Sequence, residues 1–532
     1  MKKSFISILI GLILVLSGCN PFNNSKNEAD KSSNNQKVLT VAIPTDPGPL
    51  NPHQYAPNEL TIQSTYYEPL IDYTEDGKLK GKLAESWKVS KDGKTIDFTL
   101  RKNVKFSDGS AFTADSVKMN FDAIMKHKDI HSWVGLIDAI DTYKVLDDHH
   151  FQVKLKKAYY PALQEFTIVR PLRFLGEKGF PKDGDTFEKI EKPITTGPWV
   201  VEDYKKDSSL TLVQNKYYWG EKPKVDKIIF KVIPDAESRV LALENGEIDM
   251  MYGENIINMD RFKQIKDAGK LKTDISNPVA TRTLIVNTKD KLKDKNLRLA
   301  LQHAINKEDI VKQTTNGIEK KADQLVAPNF PYSDVKLKPY DYDVTTAESY
   351  LDKAGWKKVE GKTYRQKNGK PLIIEGTYLK TNEIDKQMAL AIQSDLKKIG
   401  IDFKLKETDI EVRNKNMEDA TFDVLFWSTY GAPYDPHSLV STIAQEGFGI
   451  KESEVNMADK DRLHKEMKDV LYQIDERKRQ ETYKDIFTHL HDEAVFLPLS
   501  YITNIAIYSD DVSGIQFSAH RDETPYRFVE KK

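Results

Sequence analysis

The sequence predicts an α/β fold built from more than one lobe. At 532 residues the chain is longer than a single hydrophobic core serves. Helical stripes closed by glycine also hand over to alternating strands. Met388, Ile392, Leu396 and Ile399 recur at helical spacing, Gly400 ends the run, and Ile401, Phe403 and Leu405 then alternate. Helix, glycine, strand is half of a βαβ unit.

The other elements follow the same rules. Val38, Thr40 and Ala42 open the globular part as a strand, and a turn-rich stretch from Asp46 to His53 then leads to Tyr55. A helix ends near Tyr66. Trp87–Val89 and Ile96–Leu100, joined across Asp92-Gly93, form a hairpin. Thr113 caps a helix running through Val117, Phe121 and Ile124. Val225–Val232 reads as a strand and Ala236–Gly246 as a helix closed by glycine. Thr283–Asn287 is a continuous apolar strand, and Leu297, Leu301, Ala304 and Ile305 form a helical stripe. Thr345-x-x-Glu348 has the pattern of a capping box, with its helix stopped at Gly355. Charged helical sequence fills Lys460–Asp492, and Val495–Tyr501 returns as a strand. No internal repeat is visible.

Composition excludes several classes. With 80 basic and 81 acidic residues the formal net charge is −1, so no excess of positive charge is available for a nucleic-acid backbone. The single cysteine, Cys19, rules out an intrachain disulfide and a cysteine-based zinc site. It closes a short segment in which Lys2 and Lys3 precede an apolar run from Phe5 to Leu16. That is the layout of a signal peptide, too short for a comfortable membrane span. Residues 20–36, rich in Asn, Ser and Lys, have little to bury and read as a flexible tether.

No catalytic constellation emerges. Ser394-x-x-Lys397 sits on the Leu396 helix and reads as a helix face. Phosphate loops and dinucleotide-binding glycine patterns are missing. His489 and His491 fall in a charged amphipathic segment, and His149-His150 in a turn. The stretch Thr429–His437 attracts more interest. It follows the alternating Phe422, Val424 and Phe426, and Gly431, Pro433 and Pro436 break regular structure there. Two tyrosines, a carboxylate and an imidazole are thus presented at a strand end, where small ligands commonly bind in α/β layers. Read locally, the same residues are a proline-rich connector.

Leu83-Ala-Glu-Ser-Trp87, Phe98-Thr-Leu-Arg101, Val104-Lys-Phe106 and Phe112-Thr-Ala-Asp-Ser-Val117 resemble the signature region of extracytoplasmic solute-binding proteins of the peptide/nickel ABC-importer family. The likeness continues through Thr196-Gly-Pro-Trp199, Asn215-Lys-Tyr-Tyr-Trp-Gly220 and Ile305-Asn-Lys307 to the C-terminus. Leu16-Ser-Gly-Cys19 resembles a bacterial lipobox. The resemblance implies a two-lobed periplasmic-binding-protein-like fold of the large peptide/nickel type, with a ligand cleft between the lobes. Residues 1–18 would be a lipoprotein signal peptide and 19–37 the tether. Residues 38–280 with 503–532 would form lobe I, and 281–502 lobe II. The implied protein is a monomeric binding protein without catalysis or cofactor. A lipid on Cys19 would hold it on the outer face of the cytoplasmic membrane, where it serves an ABC permease and ATPase.

Leu50-Asn-Pro-His-Gln-Tyr55 and Gly431-Ala-Pro-Tyr-Asp-Pro-His437 resemble the nickel branch, whose members take up nickel or a related transition metal already chelated by a small carboxylate-bearing molecule. Arg170 matches the branch's carboxylate-binding arginine; a planar guanidinium pairs bidentately with carboxylate. Trp133, Tyr55, Tyr430 and Tyr434 match its aromatic walls, and Leu60 takes the place of a methionine. The branch's second arginine is replaced by Ile130, and its direct histidine ligand falls near Phe448. The chelator would then supply all or nearly all metal ligands, or His520 or His437 would substitute; with a nicotianamine-like chelator, Arg282 and Arg521 would serve the extra carboxylates. The alternative is an oligopeptide- or dipeptide-binding lipoprotein. In that branch an aspartate that holds the peptide's ammonium stands where this chain has Ala432. An extracytoplasmic enzyme or sensor is a third reading.

Overall fold

Two strands longer than the local pattern implied organise the molecule, Lys272–Val286 and Phe496–Tyr508. The computed structural model describes residues 36–532 except 55–59, 75, 430–433, 446–449, 455 and 522, and at 60, 452 and 453 the backbone only. Cys19, Tyr55, Tyr430, Ala432, Phe448 and the Leu60 side chain lie outside the described residues.

The two long strands pair antiparallel, from Lys272 opposite Tyr508 to Ile285 opposite Phe496. They are the middle of an eleven-stranded mixed sheet. On one side it continues through Met250–Gly253, Val38–Ile43, Lys227–Val232, Ser209–Gln214 and Trp199–Lys205. On the other it continues through Val424–Ser428, Ile373–Leu379 and Asp402–Thr408. Within the sheet, the long pair joins the two flanking halves. Its register shifts between Ile275 and Pro278, between Pro278 and Ala280, and between Arg282 and Thr283. Proline cannot donate to a ladder, so a break at Pro278 is physically expected.

The expected βαβ unit is present. The helix Glu383–Lys398 buries Met388, Ile392 and Leu396 and connects the parallel strands Ile373–Leu379 and Asp402–Thr408. Val424–Ser428 is buried from Val424 to Trp427, so the alternating pattern understated a strand covered on both faces. One cap differs from expectation. The helix Val344–Lys353 starts at Asp343, whose side chain accepts from Thr346 N at 3.0 Å, two residues before the Thr345 capping box. A carboxylate there accepts the early N–H groups and favours the positive helix end.

A separate four-stranded antiparallel sheet, Ala84–Val89, Thr95–Leu100, His150–Leu155 and Ile140–Asp147, carries the helix Ala114–Lys126. Its core of Phe98, Phe121, Phe151 and Phe166 is continuous with Leu439, Leu463, Tyr483 and Leu490 from the chain's second half. The molecule is thus two-lobed, with apolar packing running from the four-stranded sheet into the chain's second half. A second core, around Phe262, Leu301, Met388 and Phe403, packs helices on the main sheet. A third, around Val41, Trp199, Leu212 and Phe230, fills its other end.

Candidate functional site

Arg170 follows the short helix Ala162–Glu165 and is buried. Its Nη1 donates to the Gln54 carbonyl at 3.0 Å, so it meets the loop that runs on to position 55. That loop is pinned from several sides. Asn51 Nδ2 donates to the Thr186 carbonyl at 2.7 Å, and His53 N donates to Asn51 Oδ1 at 3.0 Å. The His53 ring lies between Thr186 Oγ1, at 2.8 Å, and the Arg173 carbonyl, at 3.2 Å. Burial pushes His53 down to about 4, so it is a neutral hydrogen-bonding post whose two ring nitrogens are occupied. His131 is likewise pushed down to about 4, by burial and then by neighbouring His127. Two residues on, Trp133 stays 51% exposed, and Ile130 is exposed beside it in sequence.

A second group of contacts gathers at the loop after Val424–Ser428. Tyr434 is half-buried, and its ring lies 4.5 Å from Phe330 and 6.1 Å, edge-on, from Tyr73. Its hydroxyl donates to the Asn329 carbonyl. Gly77 takes φ +77°, and its Cα faces the Tyr434 ring so closely that no side chain would fit between. His520 is buried with its ring 6.4 Å from Tyr73, and its backbone N donates to Ser518 Oγ at 3.0 Å. Next to it, Arg521 links two distant segments: Nε donates to Glu254 Oε1 at 3.0 Å and Nη1 to the Thr429 carbonyl at 3.2 Å.

Two of the expected ligand contacts, Arg282 and His437, face carboxylates of the protein itself. Arg282 is buried with Nη2 3.1 Å from Glu319 Oε1 and Nη1 on Asp385, so both terminal nitrogens serve internal carboxylates. His437 is buried between Asp435 Oδ1, 2.9 Å from Nδ1, and Glu165 Oε1, 3.1 Å from Nε2. Burial alone would lower its pKa, but hydrogen bonds and charge from the two carboxylates outweigh that and raise it to about 9. Both ring nitrogens of His437 thus face protein carboxylates, and a metal there would have to displace the proton they favour. Among the described residues no group of three or more His, Cys, Asp or Glu is placed to hold a metal ion.

Sequence reasoning missed Tyr73, Gly77, Asn329, Phe330 and Glu254, which come from segments far apart and carry no local motif. A cavity of about 150 Å³ lies behind Tyr73, lined in part by Glu68, Lys82, Arg173 and Glu523. Its charges pair with one another: Arg173 Nη2 lies 2.8 Å from Glu523 Oε1, and Lys82 Nζ 3.3 Å from Glu68 Oε1.

Two lobes joined by paired strands are the architecture of a ligand-capturing binding protein. The model of the bacterial extracellular solute-binding proteins, family 5, matches residues 78–449, and the chain belongs to that family. The Escherichia coli nickel-binding periplasmic protein is 40% identical over 496 residues, 92% of this chain and 94% of that one. The Bacillus subtilis oligopeptide-binding protein AppA is 27% identical over 536 residues, 97% of this chain and 96% of that one. The crystal structure of Brucella suis NikA in complex with Fe(III)-EDTA superimposes with a TM-score of 0.91 at 39% identity. That match covers 93% of this chain and 100% of the other. The protein is therefore an extracytoplasmic substrate-binding component of an ABC importer, close to nickel-binding proteins, and its role is transport rather than catalysis.

Proposed function

We propose that this protein captures nickel, or a related transition metal, as a chelate with a small carboxylate-bearing molecule and delivers it to an ABC permease and its ATPase. The observation that carries this reading is the 40% identity, along nearly the whole chain, to a protein named for nickel binding. Arg170 beside the Tyr55 loop supports it, because a buried guanidinium suits a chelator's carboxylates. Trp133, Tyr430 and Tyr434 would supply aromatic walls, with Arg521 and His520 at the rear. Residues 38–280 with 503–532 would move against 281–502 about the register breaks near Pro278. Lipid on Cys19 would tether the body to the outer face of the membrane. The permease would read the closed form.

Relatedness to the oligopeptide-binding AppA keeps peptide as the second reading. Ala432 disfavours it, since a peptide ammonium without its carboxylate partner forgoes about 1.5–3 kcal/mol. Calorimetry with nickel alone, nickel with histidine, a nicotianamine-type chelate and a short peptide decides between the two. Heat from a chelate supports the metal reading, and tight peptide binding with no response to any chelate overturns it.

A further inference from the structure

The best-built contact between the lobes lies beside the candidate cleft rather than in it. Tyr160, on the loop after the four-stranded sheet, reaches into the opposite lobe. Its backbone N donates to the Leu471 carbonyl at 3.0 Å and its hydroxyl to Asp435 Oδ1 at 2.9 Å. The hydroxyl also meets that of Tyr483, and the Arg479 guanidinium lies 4.5 Å from the ring centroid. Asp435 Oδ1 in turn accepts from the backbone N and faces the Nδ1 of His437, each at 2.9 Å. The other nitrogen of His437 faces Glu165, whose Oε1 accepts from Tyr159 at 2.7 Å and whose Oε2 accepts from Leu136 N at 2.5 Å. The chain of contacts thus leaves the first lobe at Tyr160, passes through Asp435 and His437 in the second, and returns to the first at Glu165.

We propose that Tyr160 is a positioning residue for ligand capture: docked in the opposite lobe, it fixes Asp435 and biases the lobes toward closure. Asp435 adjoins Tyr434, so the contact that holds the lobes together also sets that aromatic wall. The Tyr160 hydroxyl and Asp435 find their partners within the protein, and His437 lies within ion-pair distance of Glu165, so the closed arrangement draws stability from the relay before any ligand arrives. The cargo then pays less of the closing free energy, because apparent affinity scales with the fraction already competent to bind. This rests on the lobe division proposed above and not on the identity of the cargo.

The test is a distance measurement between spin labels on the full chain carrying Cys19→Ser, Lys144→Cys and Lys484→Cys. Without ligand, the Tyr160 protein is expected to populate the short, closed distance, and Tyr160→Ala to move that population to a longer one. Tyr160→Phe keeps the ring over Arg479 and loses the hydroxyl, so it falls between them. In calorimetry with nickel–histidine, Tyr160→Phe raises Kd about tenfold with unchanged stoichiometry, the loss of one hydrogen bond to a charged acceptor. A ligand-free distance distribution that Tyr160→Ala leaves unchanged overturns the proposal, whether or not the protein binds nickel–histidine. So does a Tyr160→Phe variant that stays closed and keeps its affinity for every ligand that binds.

Discussion

Arg170 and Gln54 join two loops that no sequence pattern connects: a guanidinium nitrogen of one donates to a main-chain carbonyl of the other at 3.0 Å. The same arginine thereby anchors the loop leading to position 55 and stands where a chelator's carboxylates are proposed to bind. Arg170→Ala is expected to weaken nickel–histidine binding by about 1.5–3 kcal/mol, tenfold or more, and Arg170→Lys to recover only part of it. A nickel complex with a carboxylate-free amine chelator separates the two roles. Its affinity falls only through the loosened loop, so equal losses for both chelates would remove the carboxylate assignment.

Gly77, at φ +77°, lies directly against the Tyr434 ring. Alanine there bears about 1–2 kcal/mol of backbone strain and a methyl that overlaps the tyrosine ring. Gly77→Ala is expected to lower the melting temperature slightly and to weaken ligand binding about tenfold, by obstructing closure. Combined with Tyr434→Ala, it should cost less than the two losses added, which a double-mutant cycle by calorimetry reads directly.

The pH profile of stability follows from His437. Its folded-state pKa of about 9 lies above the ordinary value of 6.5. Between these values the folded state holds a proton that the unfolded chain has lost. The stabilisation is therefore complete below about pH 6.5 and declines as pH rises, until it is gone above about 9; its full size is on the order of 3 kcal/mol. Thermal unfolding from pH 6 to 10 should show that decline, and His437→Gln should flatten it. A wild-type profile as flat as the variant's would contradict the buried ion pairs.

Cys19→Ser tests the proposed anchor. The unsubstituted protein is expected in the membrane fraction of its host and the variant in the soluble extracytoplasmic fraction. Equal membrane retention would remove lipidation as the tether.

The α/β layers were readable because local signals agreed with the tertiary structure. The stripe Met388–Leu396, the stop at Gly400 and the strand after it each pointed to the same unit. The length of the two central strands was not readable. Ile505–Tyr508 pairs with Lys272–Ile275 on one side and with Met250–Gly253 on the other, partners that lie hundreds of residues away and leave no period in the sequence. At the site, chemistry was readable and connectivity was not. His437 is a reasonable metal ligand by residue type. In the fold it also faces Glu165 from the chain's first half, and Tyr160 and Asp435, which complete the contact, are 275 positions apart.

Arg282 shows the same limit and gives the last prediction. As a residue type it suits a chelate's carboxylates, but in the fold it is the counter-charge for Asp385 and Glu319, and Glu319 also accepts from Ser500. Removing one partner of a buried ion cluster leaves the others desolvated and unpaired, at a cost of about 3–5 kcal/mol. Arg282→Met is therefore expected to lower the unfolding free energy by that amount in urea titration. The folded fraction should keep its affinity for nickel–histidine within about a factor of two, because additivity holds for separate sites. Loss of affinity with stability intact would return Arg282 to the ligand's carboxylates and put the buried cluster in doubt.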